Sequence, residues 1–350
     1  MIRSSTPRRR DEYDILAQIG KGTYGLVHKA VDKVNGSIVA LKQVLIKHER
    51  EGFPVTAIRE IKILKQLHHP NIVDLIDIIC DYRDEATPST IFIVFELCTR
   101  DLAAAIHDRL PLRGSLSTNE TKWIFRQIME GVAYCHSEGV FHRDLKLSNI
   151  LLTSTGQVKI ADFGLAKHLI QRKGKLTNRV VTRWYRPPEL LLGVLDYGPE
   201  VDVWSAGCIL GELLTGKPLF PGETEADMIY LISEIFGFPD EKNFPGVSQL
   251  REFVALSQAM PGVKRDRAKA GKASRSFNQL FPFHLVDTKA IIKDMLRLNP
   301  LLRPSAQQVL DHPYWKEDPE FGIPPTPPIF AFEFEEVSPI SRKRKASILS

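Results

Sequence analysis

The stretch Phe141-His142-Arg143-Asp144-Leu145-Lys146-Leu147-Ser148-Asn149, followed by Ala161-Asp162-Phe163-Gly164, decides how this chain is read. Asp144 and Asn149 stand in one loop and Asp162 in a tight Asp-Phe-Gly turn. A base and several oxygen ligands are thereby gathered in one small space. Magnesium prefers hard oxygen ligands and keeps several waters, so Asn149 and Asp162 suit that metal. Asp144 suits accepting or orienting the proton of an attacking hydroxyl. Lys146 suits steadying a transferring phosphate. A charged loop beside an unrelated turn is the plain alternative, and the joint spacing argues against it.

Working outward, Gly20-Lys21-Gly22-Thr23-Tyr24-Gly25-Leu26-Val27 lies between strand-like segments. Glycines let the backbone turn tightly and bring N–H groups close to phosphate oxygens. The pattern alone would serve equally as a hairpin turn. A dinucleotide fold needs a helix immediately after it, whereas residues 26–31 read as a strand, and no Walker-A sequence occurs. Val39-Ala40-Leu41-Lys42 follows as the next strand. Lys42 would reach a cleft and neutralise phosphates there, held by an anion for which Glu60 is the candidate. A snorkelling surface lysine and a solvated glutamate are the bland readings of the same two residues.

The 350 residues exceed what one small core covers, so one large or two coupled domains are expected. Apolar residues at 43% and charged residues at 25% describe an ordinary globular chain. Residues 13–97 read as a small, mostly β lobe with a helix over 55–67, whose Ile58, Ile61, Leu64 and Leu67 keep helical spacing. Residues 98–315 read as a larger, mainly helical lobe, with helices over 123–136, 203–214, 228–236 and 288–298. The fold class is α+β and bilobal, with a ligand cleft between the lobes. Residues 1–12 read as a disordered basic N-terminus and 316–350 as a Pro-rich, then basic, tail.

The formal net charge of +5 is concentrated partly in Arg8-Arg9-Arg10, in 264–275 and in Arg342-Lys343-Arg344-Lys345. Such runs suit acidic partners or a nuclear address, and equally a solvated tail. They do not by themselves predict direct nucleic-acid binding, which needs a recognisable fold. Cys80, Cys98, Cys135 and Cys208 form no CxxC pair, so no zinc site or disulfide framework is expected. No apolar run approaches a membrane span or a signal peptide, so a soluble intracellular protein is expected.

The joint set of motifs resembles the eukaryotic protein kinases, the family behind the general template for phosphoryl transfer. The similarity runs from about Tyr13 to Trp315. The resemblance implies ATP and Mg2+ as cofactors, with Asp144, Lys146, Lys42, Glu60 and Thr182 in the catalytic set. It implies a nucleotide site built from Ile19, Gly20, Lys21, Gly22, Thr23, Tyr24, Gly25, Leu26, Val27, Ala40, Lys42, Phe95, Glu96, Cys98, Asp101, Asn149, Leu151 and Asp162. The backbone of Glu96 and Cys98 would bind adenine, with Phe95 at the back. Arg186-Pro187-Pro188-Glu189 stands where the family has Ala-Pro-Glu. Glu189 would pair with Arg303, and Asp202 would brace the catalytic loop. Lys146, two residues after Asp144, resembles the serine/threonine kinases.

Within that family, Glu51-Gly52-Phe53-Pro54-Val55-Thr56-Ala57-Ile58-Arg59-Glu60 is similar to the cyclin-docking helix of the cyclin-dependent kinases. The resemblance implies a cyclin seated on the Pro54-to-Glu60 region, pushing Glu60 toward Lys42, and a lone chain that is nearly inactive. Thr177 corresponds to the activating phosphorylation site, with Arg59, Arg143 and Lys167 as its phosphate cradle. Lysine in place of a third arginine cannot fork onto a phosphate, which weakens that dependence. Thr23 and Tyr24 correspond to inhibitory phosphorylation sites. Val180-Val181 with Arg186 resembles the pocket that selects proline after the target Ser/Thr.

Glu51-Gly52-Phe53-Pro54, Cys98 in Phe95-Glu96-Leu97-Cys98, and Thr177-Asn178-Arg179-Val180-Val181 look most like the transcription-elongation branch, whose members act with cyclins on the RNA polymerase II C-terminal domain. That implies a nuclear protein and leaves a cytoplasmic share open. Lys167 and Arg183 instead resemble kinases that activate other cyclin-dependent kinases. The basic stretch within 257–277 has no clear counterpart. A mitogen-activated type would carry Thr-x-Tyr, which Thr177-Asn178-Arg179 does not. A catalytically dead scaffold would lack one of Lys42, Asp144, Asn149 and Asp162, all of which are present.

Overall fold

Period-two apolar patterning in the first hundred residues produces an antiparallel sheet whose two faces bury different side chains. The computed structural model describes residues 8–22, 25–44, 55–82, 88–113, 116–168, 183–259, 277–281 and 286–316. The sheet comprises β1 (Tyr13–Gly22), β2 (Gly25–Asp32), β3 (Ile38–Val44), β4 (Leu75–Tyr82) and β5 (Pro88–Glu96), in the order β1-β2-β3-β5-β4. Pairing sets Val27 opposite Lys42, Lys42 opposite Ile93 and Ala40 opposite Phe95. Opposed residues share a face, so these five line one side of the sheet. Tyr13, Val39, Leu41, Ile79, Phe92 and Val94 form a separate cluster on the other side.

Helix α1 (Val55–Leu64) follows β3 and packs on the turn at Phe163–Leu165. Ala57, Ile63 and Leu64 are buried and Ile61 packs partly against the core, but Ile58 is 37% exposed. The expected apolar stripe holds at Ile61, Leu64 and Leu67, and only Ile58 departs from it: Ala57 takes the buried place and Ile58 sits on the outer flank. The expected disordered stretch over 1–12 also needs correction. Residues 10–12 form a 3-10 turn, and Arg9 bridges Cys80 at the free edge of β4. Arg8 donates to both oxygens of the buried Asp32 at 2.7 and 2.8 Å, and to Glu12 at 2.7 Å. Its guanidinium lies 4.6 Å from the centroid of the Tyr13 ring. The first arginine of the basic run is thus committed to the small lobe and is not a free charge. Residues 1–7 lie outside the described residues.

The large lobe is built on helices because its apolar residues recur at helical spacing. After the short strand β6 (Arg100–Asp101) come α2 (Leu102–Arg113) and α3 (Thr118–Ser137). Ser117 starts α3 with a capping box: its hydroxyl accepts from the Glu120 N–H, and the Glu120 carboxylate accepts from the Ser117 N–H. The segment from β7 (Val140–Phe141) through β8 (Ile150–Leu152), β9 (Val158–Ile160) and β10 (Lys167–His168) carries the deciding stretch. Helices α4 (Pro188–Leu191), α5 (Glu200–Thr215), α6 (Glu225–Phe236), α7 (Arg251–Ala259), α8 (Phe277–Leu280), α9 (Val286–Met295) and α10 (Ala306–Leu310) complete the lobe. α5 is buried nearly throughout, from Val201 to Leu213. Among the described residues, no helix is long and apolar enough to cross a membrane.

The lobes meet at Asn71, in the loop between α1 and β4. Its amide donates to Gln127 at 3.1 Å and to the Val158 carbonyl at 3.0 Å, while its carbonyl accepts from the Ile160 N–H at 2.8 Å. Gly131 of α3 lets this seam close. A Cβ there would stand 2.8 Å from Ile160 Cδ1 and 3.0 Å from the Asn71 carbonyl oxygen. Gly131→Ala is therefore expected to lower stability by about 1–3 kcal/mol through overpacking, despite its better helix propensity. A denaturant midpoint at or above that of the wild type would contradict this.

Candidate active site

The loop after β7 is held from beneath. Asp202, fully buried near the start of α5, accepts from the backbone N–H of His142 at 2.7 Å and of Arg143 at 2.8 Å, and from His136 Nε2 at 2.9 Å. Burial would raise this carboxyl, but the His136 bond and charge, His142 and the Arg143 amide hold it below the usual carboxylate range. Arg143 takes a left-handed backbone conformation, φ 73°. Such a conformation is costly for a non-glycine residue and persists only where the surroundings over-determine it. His142 supplies more of that support. Its Nε2 donates to the Ala161 carbonyl at 2.9 Å and its Nδ1 accepts from the Asp144 N–H at 3.2 Å, so the tautomer carries its proton on Nε2. The ring also meets Phe163 edge-on, with centroids 4.8 Å apart.

This scaffold brings the acidic groups together. Lys146 Nζ donates to Asp144 Oδ2 at 2.9 Å, and the Asn149 amide donates to the Asp144 carbonyl at 2.9 Å and to Asp144 Oδ2 at 3.1 Å. Asp144 Oδ1 is buried without a hydrogen-bond partner among the described residues. A buried carboxylate oxygen left unpaired is costly unless a ligand completes it. The Ala161 N–H donates to the Asn149 carbonyl at 2.9 Å, which sets Asp162 beside Asn149. Asp162 itself is left-handed, φ 65°. Because the Asn149 nitrogen is committed to Asp144, its Oδ1 is the atom left for a cation.

From the small lobe, Lys42 Nζ donates to both carboxylate oxygens of Glu60 at 2.8 Å. Burial pushes the Glu60 carboxyl up, opposed by Lys42, and the Asp162 charge pushes in the same direction as burial. Glu60 therefore lies within electrostatic reach of Asp162, and the two lobes contribute to one charge cluster. The chemistry of this donor set fits a metal-bound polyphosphate: one paired ammonium, hard oxygens on Asn149 and Asp162, and a carboxylate with an open oxygen.

Comparison with known proteins agrees. The chain matches the family "Protein kinase domain" over residues 13–315. It is 45% identical over 307 residues to cyclin-dependent kinase 12 of Caenorhabditis elegans, covering 86% of this chain and 40% of that protein. It is 39% identical over 318 residues to the CTD kinase subunit alpha of Schizosaccharomyces pombe, covering 91% of this chain and 50% of that one. It is 40% identical over 322 residues to cyclin-dependent kinase 9 of Danio rerio, covering 88% of this chain and 82% of that one. The chain belongs to the protein kinases and, among them, to the cyclin-dependent kinases. It spans about half the length of most of these relatives.

In this cyclin-dependent kinase chain the remaining expected positions are distributed as follows. Val27, Ala40 and Phe95 share the sheet face over the cleft, and Lys42 Nζ lies 5.9 Å from the Phe95 ring centroid. Ile19 and Gly20 lie near the end of β1, with Gly20 opposite Val27, Leu26 is the second residue of β2, and Gly22 pairs with Gly25 across the tip of the hairpin. The backbone of Lys21 is described within β1 and its side chain is not. Leu151 and Asp101 face each other in the β6–β8 ladder, where Asp101 Oδ1 caps α2 by accepting from the Ala104 N–H at 2.8 Å. The side chain of Glu96 is turned to a structural task that its sequence position does not announce: Oε1 accepts from the Asp74 N–H at 2.8 Å and from Lys159 Nζ at 2.7 Å. The Cys98 thiol, with its pKa pushed up to about 12 by burial and by Glu96, stays protonated.

Arg143 and Lys167 approach through the β7–β10 ladder, which pairs Lys167 with Phe141. Arg59 reaches the same region and donates to the Gly164 carbonyl at 3.3 Å. Burial, with the Arg143 and Arg59 charges, holds the Lys167 ammonium below its usual range. Arg303 forks onto the buried Glu189 at 2.6 and 2.7 Å. Thr23, Tyr24, Glu51 to Pro54, Thr177, Val180, Val181, Thr182, the 264–275 stretch and the tail from 317 lie outside the described residues. His136 and Lys159 were not singled out from the sequence, because each works through a partner remote in the chain, Asp202 and Glu96. His142 stood in the deciding stretch without a role of its own, and its bonds to Ala161 and Asp144 supply one.

Proposed function

We propose that the chain is a cyclin-dependent serine/threonine protein kinase that transfers the ATP γ-phosphate to Ser/Thr-Pro sites of proteins. Its favoured substrate is the heptad-repeat C-terminal domain of RNA polymerase II, and its place of work is the nucleus. The carrying observation is the Asp144 carboxylate: Lys146 and Asn149 hold one oxygen while the other is buried and open. That oxygen accepts and orients the proton of the attacking serine or threonine hydroxyl. Asn149 Oδ1 and Asp162 would hold Mg2+, and Lys42, fixed by Glu60, would meet the α/β-phosphates. Bound magnesium supplies charge neutralisation on the polyphosphate. Lys146 steadies the γ-phosphate, so the protein contributes positioning and electrostatics rather than covalent chemistry.

Two lines support the cyclin-dependent, transcriptional assignment. Relatives bear the names cyclin-dependent kinase and CTD kinase subunit alpha. Ile58 on α1 is an exposed apolar side chain within the Pro54-to-Glu60 region that the cyclin reading assigns to the partner. A cyclin bound there would hold Glu60 against Lys42 and shift the population toward the paired state. Thr177 and its cradle, inhibitory control at Thr23 and Tyr24, and a substrate-side role for Thr182 belong to the same proposal. The test is to copurify the chain from cells, identify the bound cyclin and assay the complex on heptad peptides. Serine labelling that disappears when the following proline becomes alanine supports the reading. Full activity of the lone, unphosphorylated chain contradicts it.

A further inference from the structure

We infer that Tyr197, in the loop between α4 and α5, is a positioning residue for the cation cradle of Arg59, Arg143 and Lys167. The inference rests on the reading of that cradle as the receptor for phosphate on Thr177.

Three like charges gathered in one place repel each other, and the Lys167 ammonium is lowered by burial first and then by the Arg143 and Arg59 charges. Without an anion between them, long basic side chains disperse into solvent unless something holds them. Arg143 is nevertheless buried. Asp202 fixes only its backbone. Its side chain is held by Tyr197: Cζ lies 5.6 Å from the ring centroid, and a side-chain hydrogen bond joins the guanidinium to the phenol oxygen. A cation near an aromatic face is attracted by the ring quadrupole, more strongly when both are desolvated. Tyr197 is itself almost fully buried, packed with Leu190 and Val201 and edge-on to Phe141 at 6.3 Å between centroids.

The same ring packs on the ladder neighbour of the second cation. Phe141 is the β7 residue paired with Lys167 in β10. Tyr197 thus braces β7, the strand on which the Lys167 strand pairs, while it holds the Arg143 guanidinium. It pre-positions two of the three cations before any phosphate arrives, which lowers the ordering cost when one binds. In this arrangement lysine at position 167 is tolerable because Arg143, the forked donor, is already fixed.

The experiment uses the full chain with its cyclin, prepared with Thr177 phosphorylated or unphosphorylated, and reads the ratio of the two peptide-phosphorylation rates. Tyr197→Phe keeps the ring and loses the phenol bond, and is expected to lower the ratio about 2–5-fold. Tyr197→Leu loses both contacts and is expected to lower it about 10-fold. Wild-type ratios in both variants would overturn the inference. If the leucine variant does not fold, the phenylalanine variant decides on the same criterion. A wild-type ratio near one would instead overturn the Thr177 reading, so the two failures are distinguishable.

Discussion

Asp144→Asn, made in the full chain with its cyclin bound, is expected to lower peptide phosphorylation by about 10²–10⁴-fold, the usual contribution of a positioned base. ATP affinity should change little, because Asp144 addresses the hydroxyl and not the nucleotide. The substitution is nearly isosteric, and the Asn149 and Lys146 donors can still meet a carboxamide oxygen, so the loop should keep its shape. Turnover and nucleotide affinity therefore separate in this variant. In Lys42→Met they should not, since that change removes the cation over the phosphates and leaves Glu60 buried without its ammonium. Rates and nucleotide titrations on both variants check the split. Equal losses of affinity in the two would contradict the assigned roles.

Arg303→Leu is expected to cost about 3–5 kcal/mol of stability, the range seen when one partner of a buried ion pair is removed. Both side chains are essentially inaccessible, at 0% and 1% exposure, and the bond is bidentate. The guanidinium also donates to the carbonyls of Arg297, Leu298 and Glu200 and lies 4.9 Å from the Trp204 ring centroid. Its removal strands the Glu189 carboxylate and several backbone acceptors together. Glu189 lies in the first turn of the short helix α4, shortly after Arg183 to Arg186, the segment that the proposed function places near the substrate. Loosening there should raise the peptide KM before global unfolding is reached. Denaturant unfolding of Arg303→Leu and of the double variant Arg303→Leu/Glu189→Leu measures this. The double variant should recover part of the loss, because no charge is left buried alone, whereas a double variant no better than the single would count against the stranded-charge account.

The catalytic stretch was legible because its chemistry is local: Asp144, Lys146 and Asn149 fall within one loop, and Asp162 follows after one short hairpin. The sheet was legible for the same reason, since strand alternation writes both faces into successive residues. The place of Ile58 was not, because it fits the apolar stripe of α1 as well as Ala57 does, and only tertiary packing chooses between them. Arg8 was misjudged since its partner Asp32 is 24 residues away and a run of arginines looks like a solvated tag. The same distance problem hid the links of His136 to Asp202, 66 positions apart, and of Lys159 to Glu96. Glu189 with Arg303 and Asp202 beneath the loop were expected only through family resemblance. Nothing in their local sequence distinguishes them from surface charges.

The most direct measurement is phosphate transfer from γ-labelled ATP to a Ser-Pro peptide by the cyclin-bound chain with Asp144→Asn and Asp162→Asn combined. The two positions lie on separate segments, and the account makes both indispensable, one for the hydroxyl and one for the metal. It predicts transfer indistinguishable from background while the variant still folds and binds its cyclin. Labelling at the wild-type rate would mean that the reaction runs somewhere other than this cluster.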